Sequence, residues 1–312
     1  MDHPFDRALK PLDVRGLLRR YGVRPKKSLG QNFLVDEAAL STVAAAADLT
    51  PADTVLEIGA GLGSLTRYLA ASARRVVAVE LDKAMLPALR HVLEPYPNVE
   101  IISDDILRLH PSSFTLHPSY KVVANIPYYI TSAVIRHLLE AETKPSLIVL
   151  TVQHEVAERI CAGPGDMSLL AVSVQFYSAP RILARLPAGA FYPRPEVDSA
   201  VVRLDVFSAP RVAVENADRF FQIVRAGFSQ KRKQLRNALR AGLRLESAQA
   251  EALLAKAGIA PQRRAETLTL DEWAALASAL TPLPGLAATP PPSPGLWGQE
   301  RGEGPGVGGE VT

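Results

Sequence analysis

The chain has 312 residues, 47% of them hydrophobic and 21% charged, which excludes disorder over most of its length and allows one large domain or one domain with a smaller companion. Its 35 basic and 32 acidic side chains leave a net charge of only +3, so a nucleic-acid partner has to be met by local basic patches. A single cysteine, Cys161, excludes an intramolecular disulfide framework and a cysteine-rich zinc site, and the six scattered histidines make a protein-held metal unexpected.

Residues 1–25 form a basic N-terminal lead that carries Arg15, Arg19, Arg20 and Arg24, with Lys26 and Lys27 just beyond. It has no hydrophobic signal region, and no apolar run in the chain approaches the roughly 20 residues of a membrane span, so no membrane contact and a reducing cytoplasmic compartment are expected. Asp36 is placed to cap a helix whose apolar positions Leu40, Val43, Ala44 and Ala47 follow helical spacing. From residue 55 to about 206, short β-branched runs alternate with longer amphipathic ones, the pattern of strands and crossover helices. Strands are predicted over 55–58, 76–80, 99–102, 122–124 and 147–152, which gives an α/β, Rossmann-like doubly wound sheet over a domain of residues 26–206.

From about residue 217 the strand signal stops. Phe220, Ile223, Val224, Gly227 and Phe228 mark one helix face, and a second helix predicted over 231–243 sets Leu235, Ala238, Leu239 and Gly242 against an arc of Lys231, Arg232, Lys233, Arg236 and Arg240. Thr269 and Glu272 read as a capping box ahead of Trp273, Leu276, Ala277 and Leu280. Residues 207–281 are thus expected to form a small all-helical subdomain whose basic arc can meet phosphates, and the Pro/Gly-rich residues 282–312 a disordered tail without catalytic residues.

The most informative loop is Glu57-Ile58-Gly59-Ala60-Gly61-Leu62-Gly63-Ser64, between a predicted strand and a predicted helix. Its spacing is GxGxG rather than the GxGxxG of hydride-transfer dinucleotide sites, and its glycines let the backbone approach a ligand closely. Glu80 ends the next predicted strand, where a carboxylate can accept from both hydroxyls of a ribose, and Asp104 and Asp105 follow the third, in reach of an adenine amino group. A glycine turn alone is as often structural as functional. The loop and the two acidic positions in register favour the nucleotide reading.

Asn125-Ile126-Pro127-Tyr128 follows the fourth predicted strand. Taken alone it is a turn rich in turn formers. After that strand it offers what methyl transfer to a base requires, because an exocyclic amine is a poor nucleophile until its lone pair is drawn out of the ring. The side-chain oxygen of Asn125 and the backbone carbonyl of Ile126 can each accept one N–H, Pro127 stiffens the turn, and Tyr128 offers a stacking face. The cofactor this requires is S-adenosyl-L-methionine.

At these residues the chain resembles the ribosomal small-subunit RNA adenine dimethyltransferases, the KsgA/RsmA family, over about residues 26–280. The resemblance also rests on Ser28-Leu29-Gly30-Gln31-Asn32-Phe33-Leu34, on Gln153-His154-Glu155-Val156-Ala157-Glu158-Arg159, on the run from Phe191-Tyr192-Pro193 to Val197-Asp198-Ser199-Ala200, and on Phe228-Ser229-Gln230-Lys231-Arg232-Lys233. It implies a class I methyltransferase in which Gln31, Asn32 and Leu34 hold the methionine end of the cofactor and Gly59 and Gly61 line its approach. Glu80 would take the ribose, Asp105 the adenine, and Asn125 would lie between cofactor and target, with Phe191 as a second aromatic wall opposite Tyr128. The implied substrate is a pair of adjacent adenosines near the 3′ end of small-subunit (16S) rRNA in the pre-30S subunit, each dimethylated at N6 by a monomeric enzyme. Two alternatives stand beside it: a large-subunit (23S) rRNA adenine methylase of the macrolide-resistance type, and an RNA-binding ribosome-assembly factor on the same fold. Arg264-Ala265-Glu266-Thr267-Leu268-Thr269 and the Asp198-Ser199 run look more like the small-subunit enzymes. Cys161 reads as an ordinary thiol.

Overall fold

In the computed structural model, which describes residues 9–109, 120–230 and 232–280, the chain forms one unit ending at Ala213 and another starting at Val214. The first unit runs α1 (Val14–Arg20), β1 (Phe33–Leu34), α2 (Glu37–Ala45), β2 (Thr54–Ile58), α3 (Ser64–Ser72), β3 (Arg75–Val79), α4 (Leu86–Leu93) and β4 (Val99–Ile102). It continues with β5 (Lys121–Asn125), α5 (Thr131–Leu139), β6 (Leu147–Gln153), α6 (His154–Cys161), α7 (Leu169–Tyr177), β7 (Ser178–Leu186), β8 (Phe191–Tyr192) and β9 (Ser199–Val206).

The five predicted strands are all present, within about one residue at each end, as the parallel part of a seven-stranded sheet ordered β4-β3-β2-β5-β6-β9-β7. All five residues of β2 are buried, as expected of a parallel strand covered on both faces. Strand β9 is inserted antiparallel between β6 and β7. The long β7/β9 pair was not delimited from sequence: β7 sits at the sheet edge, where Pro180, Arg181 and Arg185 are tolerated, and its ladder shifts register between Ile182 and Ala184.

The order decides where a ligand can sit. The chain builds β2, β3 and β4 outward on one side and then returns to place β5 on the other side of β2, so a crevice opens beyond the carboxyl ends of β2 and β5. Apolar side chains of α2 and α3, including Leu40, Val43 and Leu69, pack with Val55, Val76, Val123 and Val149 of the sheet. Asp36 caps α2, its side chain accepting from Ala39 N at 2.8 Å, as the sequence indicates. The basic lead is not separate from this unit once α1 begins, because Val14 and Leu18 are buried with Phe33, Leu62 and Met85.

The second unit is helical: α8 (Ala217–Phe228), α9 (Leu235–Leu243), α10 (Ser247–Lys256) and α11 (Leu270–Ala279). Trp273 is fully buried, and Thr269 with Glu272 forms the expected capping box. Helix α9 starts later than predicted. Gln234 is extended (φ −62°, ψ 148°), so Arg232 and Lys233 belong to the turn before the helix rather than to a helical arc with Arg236 and Arg240. Lys231 and the tail from residue 282 lie outside the described residues.

Candidate active site

The paired registers Ile58↔Ala124 and Ile58↔Val79 make β2, β5 and β3 end side by side, so the segments that follow them line one cleft. It encloses about 1050 Å³ of empty space, part of it open to solvent, bounded by residues 29–34, 57–62, 79–81, 104–106 and 125–130 among others. Gln31, Asn32, Leu34, Gly59, Gly61, Glu80, Asp105, Asn125, Ile126, Pro127 and Tyr128 therefore all meet in one place.

Phe191 does not join them. Its ladder partner is Leu34, and its ring, 4% exposed, packs in the apolar core with Leu34 and Leu40, which themselves line the cleft. Two-residue pairing with β1 fixes which way the β8 side chains face, and that is a tertiary choice.

Gly61 has φ +57°, and a Cβ there would come within 3.1 Å of the Phe33 ring, so both the turn and the close approach require glycine. Its N–H donates to Glu80 Oε2 at 2.7 Å, while Asp82 N donates to Glu80 Oε1 at 2.7 Å. Glu80 is thereby fixed in orientation, and the Leu81 N–H adds to the same set of donors. Burial raises its pKa, and those N–H donors pull in the other direction.

Glu57, on the cleft floor, is 1% exposed, and its Oε2 has no hydrogen-bond partner among the described residues. Burial, tempered by the Thr66 hydroxyl and reinforced by the Glu80 carboxylate, pushes its pKa up to about 8. Asp82 behaves oppositely. Burial raises it, but Lys26 Nζ at 2.8 Å and Gln31 Nε2 at 2.9 Å outweigh burial and hold it below the usual carboxylate range. Asp82 thus ties the 26–31 segment to the exit of β3. It went unnoticed in the sequence, where the only signal is an acid two residues after Glu80 at a helix approach, and its N–H acceptor role toward Ala84 fits that place. Gln31 is braced at both ends, because its Oε1 also accepts from Lys26 N at 2.8 Å.

On the opposite wall, Asn125 Nδ2 donates to the Asn32 carbonyl at 3.1 Å, which commits the donor end of the amide and leaves Oδ1 as the acceptor. The Ile126 side chain is buried (2% exposed) and anchors the turn. Tyr128 Oη lies 2.7 Å from Ser199 Oγ, and Ser199 is fully buried in β9. Ser199, inside a motif quoted for its resemblance, is thus what locks Tyr128. Leu81 (50% exposed) and Ile106 (5% exposed) add apolar lining beside Glu80 and Asp105. Asp105 Oδ1 accepts from Leu107 N at 3.0 Å. The basic residues of the second unit stay at the surface, Arg232, Lys233 and Arg240 exposed and Arg236 ion-paired with Glu251 at 2.9 Å.

A mainly parallel seven-stranded sheet with one antiparallel insertion, a glycine loop after β2 and acids following β3 and β4 on one cleft define a class I S-adenosylmethionine-dependent methyltransferase. Two solved structures share this fold: the 23S rRNA methyltransferase ErmE, 31% identical with a TM-score of 0.63 over 80% of this chain and 99% of that one, and a dimethyladenosine transferase from Plasmodium falciparum, 24% identical with a TM-score of 0.64 over 77% and 94%. The model of the ribosomal RNA adenine dimethylase family matches residues 22–281. The ribosomal RNA small subunit methyltransferase A of Dehalococcoides mccartyi is 48% identical over 273 residues, 87% of this chain and 94% of that protein. The chain belongs to the ribosomal RNA adenine dimethylase family.

Proposed function

We propose that the chain dimethylates N6 of two adjacent adenosines near the 3′ end of small-subunit (16S) rRNA with S-adenosylmethionine as donor. One observation carries this reading at the site. The glycine loop and the Asn125–Tyr128 turn face one cleft, with the amide of Asn125 already oriented by the Asn32 carbonyl. Similarity favours the small-subunit target, since the relative named for that subunit is 48% identical and the 23S enzyme 31%. The pre-30S subunit as substrate, a monomeric enzyme and a cytoplasmic location belong to the same proposal and rest on family membership and on where rRNA is assembled.

The residues fit the donor. A cleft floored by the buried Glu57, one of whose oxygens is unpartnered among the described residues, with a glycine-bounded wall and an oriented Glu80, suits a ligand that brings hydrogen-bonding groups and a ribose. Asn32 and Leu34 would bound its methionine end, with Gln31 acting through the segment it braces. Glu80 would accept from the ribose hydroxyls and Asp105 from the adenine amino group, with Leu81 and Ile106 beside that ring. Bound there, S-adenosylmethionine supplies an electrophilic methyl carbon. Asn125 Oδ1 and the Ile126 carbonyl would accept the two N–H groups of the target amine, which draws the nitrogen toward tetrahedral geometry and points its lone pair at the donor. Tyr128, held by Ser199, gives the flipped base a stacking face worth about 1–3 kcal/mol against the few kcal/mol that unstacking costs. No strong base is needed, because the amine becomes acidic only once alkylated.

The test is to incubate the protein with labelled donor and unmodified small subunits and map the modified nucleotides. Label confined to two neighbouring adenosines near the 3′ end is expected. Label on another base, or on large-subunit RNA alone, overturns the reading.

A further inference from the structure

Tyr129 is 63% exposed, the most exposed of the large apolar side chains among the described residues, yet it lines the cleft. A large aromatic ring held in water at the mouth of a binding cleft has a cost that a partner ring can remove. The side chain is built into place. It sits on the single turn Tyr128–Ile130, closed by Ile130 N donating to the Pro127 carbonyl at 3.2 Å, and followed at once by α5. On the other side it meets Gly30, whose φ of +58° fixes that backbone: a Cβ there would lie 3.4 Å from Tyr129 Cε1 and 3.0 Å from Pro127 Cβ. Glycine at position 30 thus lets the 29–32 segment lie flush against Pro127 and the edge of the Tyr129 ring.

We infer that Tyr129 is a second stacking platform, outside the reaction centre, for the nucleotide next to the target adenosine. The inference rests on the proposed RNA adenine substrate. A base turned into the cleft beside Tyr128 leaves its chain neighbour at the mouth, deprived of the stacking partner that has been flipped away. An adjacent, exposed aromatic ring replaces that partner, and every base offers it a π-face. Tyr128 and Tyr129, consecutive in the chain, would then hold two consecutive nucleotides. With one strand polarity the platform takes the neighbour on one side only, so for one of the two adjacent targets it holds the other target and for the second it holds the next base along.

The test compares wild type with Tyr129→Ala, Tyr129→Phe and Tyr129→Trp on small subunits reassembled with synthetic 3′ rRNA segments, in which the base on either side of one target is intact or abasic. The Ala variant should lower kcat/KM for RNA roughly 10- to 100-fold, the scale of one base–aromatic stack. Phe and Trp should restore it, and equilibrium binding of S-adenosylmethionine should be unchanged in all three. For one of the two neighbouring positions, the abasic substrate should cost the wild type that same factor and cost Tyr129→Ala nothing further. Equal abasic penalties in wild type and Tyr129→Ala at both positions overturn the inference. So does a Phe variant as impaired as Ala, or weakened donor binding in the Ala variant. If the wild type labels neither target adenosine on intact substrate, it is the proposed function that fails.

Discussion

Glu57 and Glu80 are buried along the cleft of the sheet-bearing unit, whereas the helical unit buries no charged or hydroxyl side chain among the described residues and keeps Arg232, Lys233 and Arg240 in water. Burying a carboxyl group without full compensation costs several kcal/mol, so Glu57 and Glu80, both raised by burial, mark the place where binding outweighs stability. The helical unit shows the other solution. Apart from the Trp273 indole Nε1, its interior is apolar, and so close-packed that Cβ atoms at Gly227 and Gly242 would come 2.4 Å from the Trp273 ring and 2.6 Å from Ala226 Cα. Its basic groups face solvent, where phosphates can be met without desolvating a protein interior. One unit therefore carries polar strain for chemistry, and the other stores its stability in packing.

The sharpest way to break this contrast is Asn125→Ala. Removing one oriented acceptor should lower turnover by about 100-fold or more while S-adenosylmethionine binding stays measurable by calorimetry. Full activity would mean that the cleft's polar groups are not where the chemistry lies.

A second experiment uses the pH dependence of Glu57. Its folded pKa of about 8 stands above the ordinary 4.5, so between those values the native state holds a proton that the unfolded chain has lost. Stability contributed by this group is complete below pH 4.5 and is lost as pH rises toward 8. Glu57→Gln should flatten that fall, leaving the variant more stable than wild type at pH 8 by a few kcal/mol and little changed at pH 5, read from denaturant melts. An unchanged slope would show that Glu57 is ionised and paired in the native state.

The packing of the helical unit is probed by Gly242→Ala, whose methyl would collide with backbone. A loss of about 1–3 kcal/mol is expected, whereas Gly163→Ala, with nothing within 4 Å of its Cβ, should stay within about 0.5 kcal/mol of wild type. The smallest effect belongs to the surface. Replacing Arg232, Lys233 and Arg236 by Ala should weaken rRNA binding several-fold and make its salt dependence shallower by roughly one to three in slope. Arg236, already paired with Glu251, should contribute least when changed alone. An unaltered salt slope would move the RNA contact off this unit.

Much of the cleft was legible because its residues follow directly on strands. Gly59, Glu80, Asp105 and Asn125 are each read from the position after a β-branched run, and in a parallel sheet those positions converge whatever the intervening helices contain. Residues whose role depends on distant partners were not legible. Asp82 holds Lys26 and Gln31 across more than fifty residues of chain, and Ser199 holds Tyr128 across seventy-one. Phe191 is a further case, because its packing with Leu34 and Leu40 behind the cleft depends on pairing with a strand more than 150 residues away. The charge periodicity that predicts a helix from residue 231 continues smoothly through Arg232 and Lys233, and nothing in that pattern reveals the extended backbone of Gln234.

The sequence by itself determined the alternation of strand and helix, the glycine turn, the Asn-Ile-Pro-Tyr turn, the Asp36 cap and the Thr269–Glu272 capping box, since each depends on φ/ψ preference, periodicity or a hydrogen bond within a few residues. Tertiary structure alone decided the insertion of β9 between β6 and β7, the packing of α1 onto the unit that carries the cleft, and the protonation of Glu57. Strand order, burial and local dielectric are properties of neighbours brought together in space, and neighbours of that kind are set only when the whole chain has found its minimum.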